Sequence, residues 1–178
     1  MYWYLSDRAD TSANKVAKRH YNCQSPDSKQ FVNPGRCFVL LATQPRKTRH
    51  ALWVTSWPLA QYVKHKWAGA WVNQLFRNET FWPSPHLIRE AVAATRWYRA
   101  SGINPKWNYP EPELGMITFV DTEQVKPKAQ FGQCYIDAGF KDVGYTKGGL
   151  LALQLLPEDM PEPEMPNAAT LSWLEEVS

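Results

Sequence analysis

Apolar positions along this chain fall into short runs separated by turn residues, with stretches of helical period between them. Tyr2 to Leu5 is a short aromatic stretch with strand character. Ser12 is placed to cap a helix, and Ala13, Val16, Ala17 and His20 follow at helical spacing. Asn33-Pro34-Gly35 reads as a turn. Cys37-Phe38-Val39-Leu40-Leu41 and Ala51-Leu52-Trp53-Val54-Thr55-Ser56-Trp57 are two strands; a basic turn from Gln44 to Arg49 joins them as an antiparallel hairpin, and Pro58 stops the second. Ala70 to Phe76 is a third strand. The clearest helix runs from Ser84 to Ala100, with Ser84 as N-cap and Pro85 at the first helical position, where its missing N–H costs nothing. Leu87, Ile88, Ala91, Val92, Thr95 and Tyr98 share one face of it, and Arg89, Arg96 and Arg99 lie largely off that stripe. Gly102 to Glu113 is a loop with Pro, Trp and Tyr. Leu114 to Val120 is a buried strand ending at Asp121. A shorter helix covers Ala129 to Ala138, stopped by Gly139. Strands at Asp142–Thr146 and Leu150–Leu156 close the domain.

The hairpin implies antiparallel pairing in the first half, and the later alternation of strands with helices implies parallel pairing in the second. The expected fold is therefore α/β, a mixed and mainly antiparallel central sheet flanked by helices, with strand 114–120 central and helix 84–100 packed on it. At 178 residues the chain fits one domain and can bury a sizeable core. No run of 18 apolar residues predicts a membrane span. Met1 to Asp7 lacks a basic stretch and a small-residue cleavage site, so no signal peptide is expected. Three cysteines, Cys23, Cys37 and Cys134, without a Cys-x-x-Cys spacing predict neither a disulfide framework nor a zinc site, and suit a reducing cytoplasm.

Charge changes the picture. Residues 1–110 carry 16 Lys and Arg against 5 Asp and Glu, an excess of 11 positive charges, whereas residues 111–178 carry 4 against 12, an excess of 8 negative charges. A basic body is either an electrostatic footprint for nucleic acid or a solvated surface. Pro157-Glu158-Asp159-Met160-Pro161-Glu162-Pro163-Glu164-Met165-Pro166 predicts an extended, solvated tail. The expected organisation is a domain over 1–156 followed by an acidic, Pro-rich tail over 157–178.

The element order is similar to the GNAT fold, and Cys134-Tyr135-Ile136-Asp137-Ala138-Gly139-Phe140 resembles its late helix, where a Tyr precedes a Gly-Phe pair by four residues. A narrower likeness covers most of the chain. Leu75-Phe76-Arg77-Asn78-Glu79, Leu87-Ile88-Arg89-Glu90-Ala91-Val92, Gly115-Met116-Ile117-Thr118-Phe119-Val120-Asp121 and Thr146-Lys147-Gly148-Gly149-Leu150-Leu151-Ala152-Leu153 together resemble the Mom DNA-modification proteins of Mu-like phages. The resemblance implies a transferase that alters the exocyclic amine of adenine in double-stranded DNA to a carbamoylmethyl-type adduct, shielding phage DNA from restriction in the host cytoplasm. Acetyltransferases cradle the coenzyme A pyrophosphate on a glycine loop before the main helix. Here no glycine lies between Gly69 and Gly102, and Pro83 and Pro85 remove N–H donors. Coenzyme A use is therefore not expected, and an acyl-CoA-dependent N-acetyltransferase is the alternative. A third reading is a non-enzymatic DNA-binding protein on the same scaffold.

The candidate chemistry is assigned as follows. Asp121 ends a central strand, at the edge where open α/β sheets bind ligands; it is either a proton-handling carboxylate or the cap of its own turn. His20 and Tyr21 follow the first helix; His20 is either a proton shuttle or a helix-terminal His. Tyr135 matches the general-acid Tyr of many GNAT enzymes, or is a half-buried helix Tyr. His20, Tyr21 and Asp121 are also the one set that suggests a metal such as iron. Arg77, Asn78, Glu79 and Lys147 are candidates for substrate binding. Arg46, Lys47, Arg49, Lys64, Lys66, Lys106 and Trp107 are the best candidates for DNA contact, combining charge with rings. The sequence leaves the oligomeric state open, a homodimer included.

Overall fold

Long apolar runs with β-branched and aromatic residues build the sheet, and their spacing decides which face each side chain takes. The structure is a computed structural model and describes residues 1–21, 23, 27–29, 31–32, 35–44, 49–57, 65–103, 110–126 and 129–167. In chain order the elements are β1 (Tyr4–Ser6), α1 (Thr11–Lys18), β2 (Cys37–Gln44), β3 (Arg49–Ser56), β4 (Trp71–Asn78), α2 (Ser84–Ala100), β5 (Met116–Val120), α3 (Gln133–Ile136), β6 (Lys141–Tyr145) and β7 (Leu151–Leu155). This is the expected order. The seven strands form one mixed, open sheet in the order β1-β2-β3-β4-β5-β7-β6. Only β4 and β5 pair in parallel; every other neighbour pair is antiparallel. Among the described residues no helix is long and apolar enough to cross a membrane.

The expectation of parallel pairing through the second half is corrected here. After β5 the chain passes through α3 and lays down β6 one position away, and β7 returns into the slot between them, antiparallel to both. The sheet has two covered faces. On one, Leu40, Trp53, Trp71, Met116, Val120 and Leu153 pack with Leu87, Ile88, Ala91 and Val92 of α2 and with Tyr135 and Phe140. On the other, Ala13, Val16 and Ala17 of α1 cover Val39, Leu41, Leu52 and Val54, while Trp67 and Ala70 lie with Ile117 and Ala152. Burying a side chain the size of Leu87 or Ile88 contributes about 1.5–3 kcal/mol, so the α2 face dominates the core. Gly115 joins this core to β5 in a conformation that needs glycine: φ is +61°, and a Cβ would lie 2.1 Å from the Leu155 carbonyl oxygen.

Several local expectations are corrected. Asp10, not Ser12, caps α1; its Oδ1 accepts the Ser12 and Ala13 N–H groups at 2.7 and 3.0 Å. Pro83 is the N-cap of α2, one residue before Ser84, and contributes no side-chain bond. The helix expected over 129–138 is a single turn, Gln133–Ile136, entered through Gly132 at φ 68°. The segment after Leu156 is not fully solvated. Met160 and Pro166 are buried, Arg96 donates to the Met160 and Pro161 carbonyls at 3.3 and 2.7 Å, Glu164 N–H donates to Ala93 O at 3.2 Å, and Asn167 N–H donates to Trp3 O at 2.9 Å. Regular proline spacing and charge hid the buried Met and the helix-side Arg that receive this strap. Residues 33–34 of the expected turn, 45–48 of the basic turn and 104–109 of the 102–113 loop fall outside the described residues.

Candidate functional site

Parallel pairing of β4 with β5 covers only Trp71↔Met116, Val72↔Ile117 and Asn73↔Thr118. Beyond it β4 continues along β3 to Asn78, and β5 continues along β7 to Val120. The two strands therefore part at their carboxyl ends and open a notch. A bulge helps turn β4 away: Thr55 pairs with Asn73 and Val54 with Leu75, which leaves Gln74 as the extra residue.

Asn73 closes the floor of this notch. It is 3% exposed. Its Nδ2 donates to Val54 O and Leu75 O, each at 3.1 Å. Its Oδ1 accepts the Tyr135 hydroxyl at 2.6 Å, and the Thr118 hydroxyl lies 3.2 Å from Asn73 O and 3.4 Å from Oδ1. Every polar atom of the buried amide has a partner, as the low dielectric around it requires. Burial pushes the Tyr135 phenol well above its usual range; Cys134 and Tyr21 add to the rise and the Thr118 hydroxyl opposes it. Tyr135 stays protonated and donates to Asn73 Oδ1.

Two other stretches reach the same opening. Tyr21, just beyond α1, faces the Asp121 main-chain N–H; burial raises its phenol, that N–H opposes the shift, and the Asp121 carboxylate adds to it. The His20 ring lies 4.4 Å from the Tyr21 ring. Burial first, then the charge of Arg77, depress His20 to about 4, so it is neutral through the physiological range. Asp121 Oδ1 accepts Glu123 N–H at 3.0 Å, and its carbonyl accepts the Gln124 and Val125 N–H groups at 3.3 and 3.2 Å. The carboxylate thus caps its own turn through one oxygen. His20, Tyr21, Asp121 and Tyr135, all singled out from sequence, come together.

The remaining candidates divide, with Arg77 and Glu79 beside His20 and the others apart. Arg77 and Glu79 hold each other: Arg77 Nε donates to Glu79 Oε1 at 2.7 Å, and Arg19 grips the same carboxylate through Nε at 2.7 Å and Nη2 at 2.5 Å. Arg19, then Arg77, hold the Glu79 carboxyl down to about 2. Asn78 is a loop anchor, donating to Trp82 O and Ser84 Oγ and accepting from Thr80. Lys147 is exposed in the β6–β7 turn, at the same sheet edge as Asp121, since Val120 pairs with Leu151. Arg49 is exposed and lies over the Phe81 ring at 4.5 Å. Lys66 lies over the Trp67 ring at 4.6 Å and donates to Val143 O at 3.3 Å. Arg46, Lys47, Lys64, Lys106 and Trp107 lie outside the described residues. Among the described residues no three His, Cys, Asp or Glu side chains converge as a metal ion would need. His20 and Asp121 offer one imidazole and one carboxylate, and burial keeps the Tyr21 phenol protonated rather than as the phenolate that iron would take, so the three do not fit as an iron centre and no step is derived through one.

Asn73, Thr118 and Arg19 are the site residues that sequence reasoning missed. The signal for Asn73 was present: two adjacent amides, Asn73-Gln74, interrupt an apolar strand, which is how a bulge reads. Comparison of the chain with protein-family models, with curated proteins and with solved structures finds no match in any of the three.

Proposed function

We propose that this chain is a GNAT-like transferase that modifies the exocyclic amine of adenine in duplex DNA, as its resemblance to Mom proteins implies, and so protects phage DNA from restriction. The element order and the parting of β4 from β5 suit a GNAT-like sheet. The observation that carries the reading is that Tyr21, beside His20, meets the Asp121 main chain at the carboxyl edge and lies close enough to Tyr135 to influence its phenol. An adenine amine is a weak nucleophile that must shed a proton as it attacks. His20 is held neutral and accepts a hydrogen bond from one amine N–H, which orients the nitrogen; as the nitrogen bonds to the transferred carbon and that carbon's bond to its carrier breaks, the amine's other proton passes to the Asp121 carboxylate. Asp121 supplies negative charge beside the nitrogen as positive charge develops there. Tyr135 donates its proton to the departing group, for which its hydroxyl must turn from Asn73 Oδ1. The test is nucleoside mass spectrometry of DNA from cells expressing the chain. A modified adenine is expected, and unaltered adenine would overturn the reading.

An acyl-CoA-dependent N-acetyltransferase would use the same notch and the same Tyr135. The β4–α2 loop disfavours it. The Thr80 N–H is taken by Asn78 Oδ1 and the Trp82 N–H by Thr80 Oγ1, and Pro83 and Pro85 have none to give a pyrophosphate. Acetyl-CoA is expected to bind weakly or not at all; saturable binding by calorimetry would shift the assignment to this second reading.

A further inference from the structure

The loop between β4 and α2 sets rings on the carboxyl edge of the sheet. Phe81 exposes 60% of its surface, more than any other large hydrophobic side chain among the described residues. The guanidinium of Arg49, at the start of β3, lies 4.5 Å from its centroid. Beside it Trp82 stacks on Tyr2 with ring centroids 4.1 Å apart, and His86 meets Tyr2 edge-on at 5.9 Å. Phe81 is therefore placed by a cation over its ring rather than by burial in the core. Its acidic neighbour in the loop, Glu79, is already held by Arg19 and Arg77, so no uncommitted carboxylate of this loop opposes an incoming anion.

We infer that Phe81 and Arg49 form a platform for one nucleotide of a DNA strand, the ring stacking on an unpaired or extruded base and the guanidinium pairing with a neighbouring phosphate. This rests on the proposed DNA-modifying function and adds the residues that hold the strand beside the notch. Three observations favour a DNA strand as the occupant. Ala51 of β3 pairs with Asn78 of β4, which puts Arg49 and Phe81 on the edge that also carries Asp121. Residues 1–110 carry the positive excess of the chain. Arginine combines both demands, since its planar cation lies on a ring face and still presents N–H groups to phosphate. A base offers a π-face whatever its identity, so stacking here is tolerant of sequence.

The experiment uses the full chain, a fluorescein-labelled single strand, and a duplex with one adenine replaced by 2-aminopurine. Affinity is measured by anisotropy across a salt titration. Phe81→Ala is expected to weaken binding about tenfold at every salt concentration without changing the salt slope, the effect of losing one stacked base. Phe81→Trp should restore it. Arg49→Ala should lower the slope by about 0.7–0.9, the loss of one phosphate contact. The 2-aminopurine fluorescence should rise as the wild type and Phe81→Trp draw the base from the duplex stack, and should rise less with Phe81→Ala. Both side chains are exposed, so folding is expected to survive each change, and melting curves check that. If the wild type binds DNA and Phe81→Ala binds within about twofold of it, the platform is refuted while the proposed function stands. If the wild type binds neither probe, both fall.

Discussion

Asn73→Ala tests whether the notch is held open by one buried amide. The substitution removes two donations at 3.1 Å, to Val54 O and Leu75 O, and one acceptance at 2.6 Å from Tyr135. Each neutral bond contributes about 1 kcal/mol net, and a buried partner left unsatisfied costs about 1–3 kcal/mol. The two carbonyls belong to strand backbone that can readjust at the bulge, so about 1 kcal/mol each is assigned to them. The Tyr135 hydroxyl has Thr118 nearby as a substitute, so about 1–2 kcal/mol is assigned to its bond. The expected loss is about 3–4 kcal/mol, or roughly a 10 °C drop in Tm for a chain of this size. Tyr135→Phe removes only the third bond and should cost about 1–2 kcal/mol. Because both single changes break that bond, the double variant should fall short of their sum by about 1 kcal/mol or more. Urea unfolding of the four proteins, with equal slopes as the check on two-state behaviour, reads these values. A loss below about 1 kcal/mol for Asn73→Ala, or strict additivity in the cycle, would refute this account of the notch.

Asp121→Asn keeps the cap on Glu123 N–H but loses the charge, so melting should barely change while adenine modification, read by nucleoside mass spectrometry, falls about 10²–10⁴-fold; near-normal modification would place the chemistry elsewhere. His20 should titrate near pH 4 by NMR. Its folded value lies below its unfolded 6.5, so the unfolded chain binds the extra proton and stability falls as pH drops from about 6.5 to 4; His20→Gln should remove that slope. Glu79 has a folded value of about 2, so its contribution is complete above about 4.5 and is lost as pH falls toward 2. Because Arg19 is half exposed, screening limits Glu79→Gln to a cost of about 1 kcal/mol near neutral pH, measured by urea unfolding.

The strands were legible because each is an apolar run closed by turn residues, and the main helix because its buried stripe from Leu87 to Tyr98 repeats at 3.6 residues. Of the site, His20, Tyr21, Asp121 and Tyr135 were legible as residue types at element ends. What escaped was non-local. Nothing in Leu150–Leu156 says that it enters between β5 and β6 rather than beside them, since an antiparallel hairpin allows either side. Glu79 looked like a ligand residue because its firmest partner, Arg19, comes from the end of α1, 60 residues away. The strap after Leu156 looked solvated because one anchor, Met160, is isolated among prolines and acids, and the other, the Arg96 that grips its carbonyls, belongs to α2.

The insertion of β7 has a consequence for biosynthesis. Strands β1 to β4 pair with sequence neighbours only, so they can zip up while the rest of the chain is still being made. β5 meets β4 through three pairs, and its other flank stays open until β7 arrives. A nascent chain halted before Leu151 therefore presents Met116 to Val120 as a bare apolar edge, a template for pairing with another chain. The last strand of the described sheet to emerge is its keystone, and the strap that follows latches over α2 only once that keystone is seated. Ribosome-bound intermediates of this length are where a chaperone would be needed.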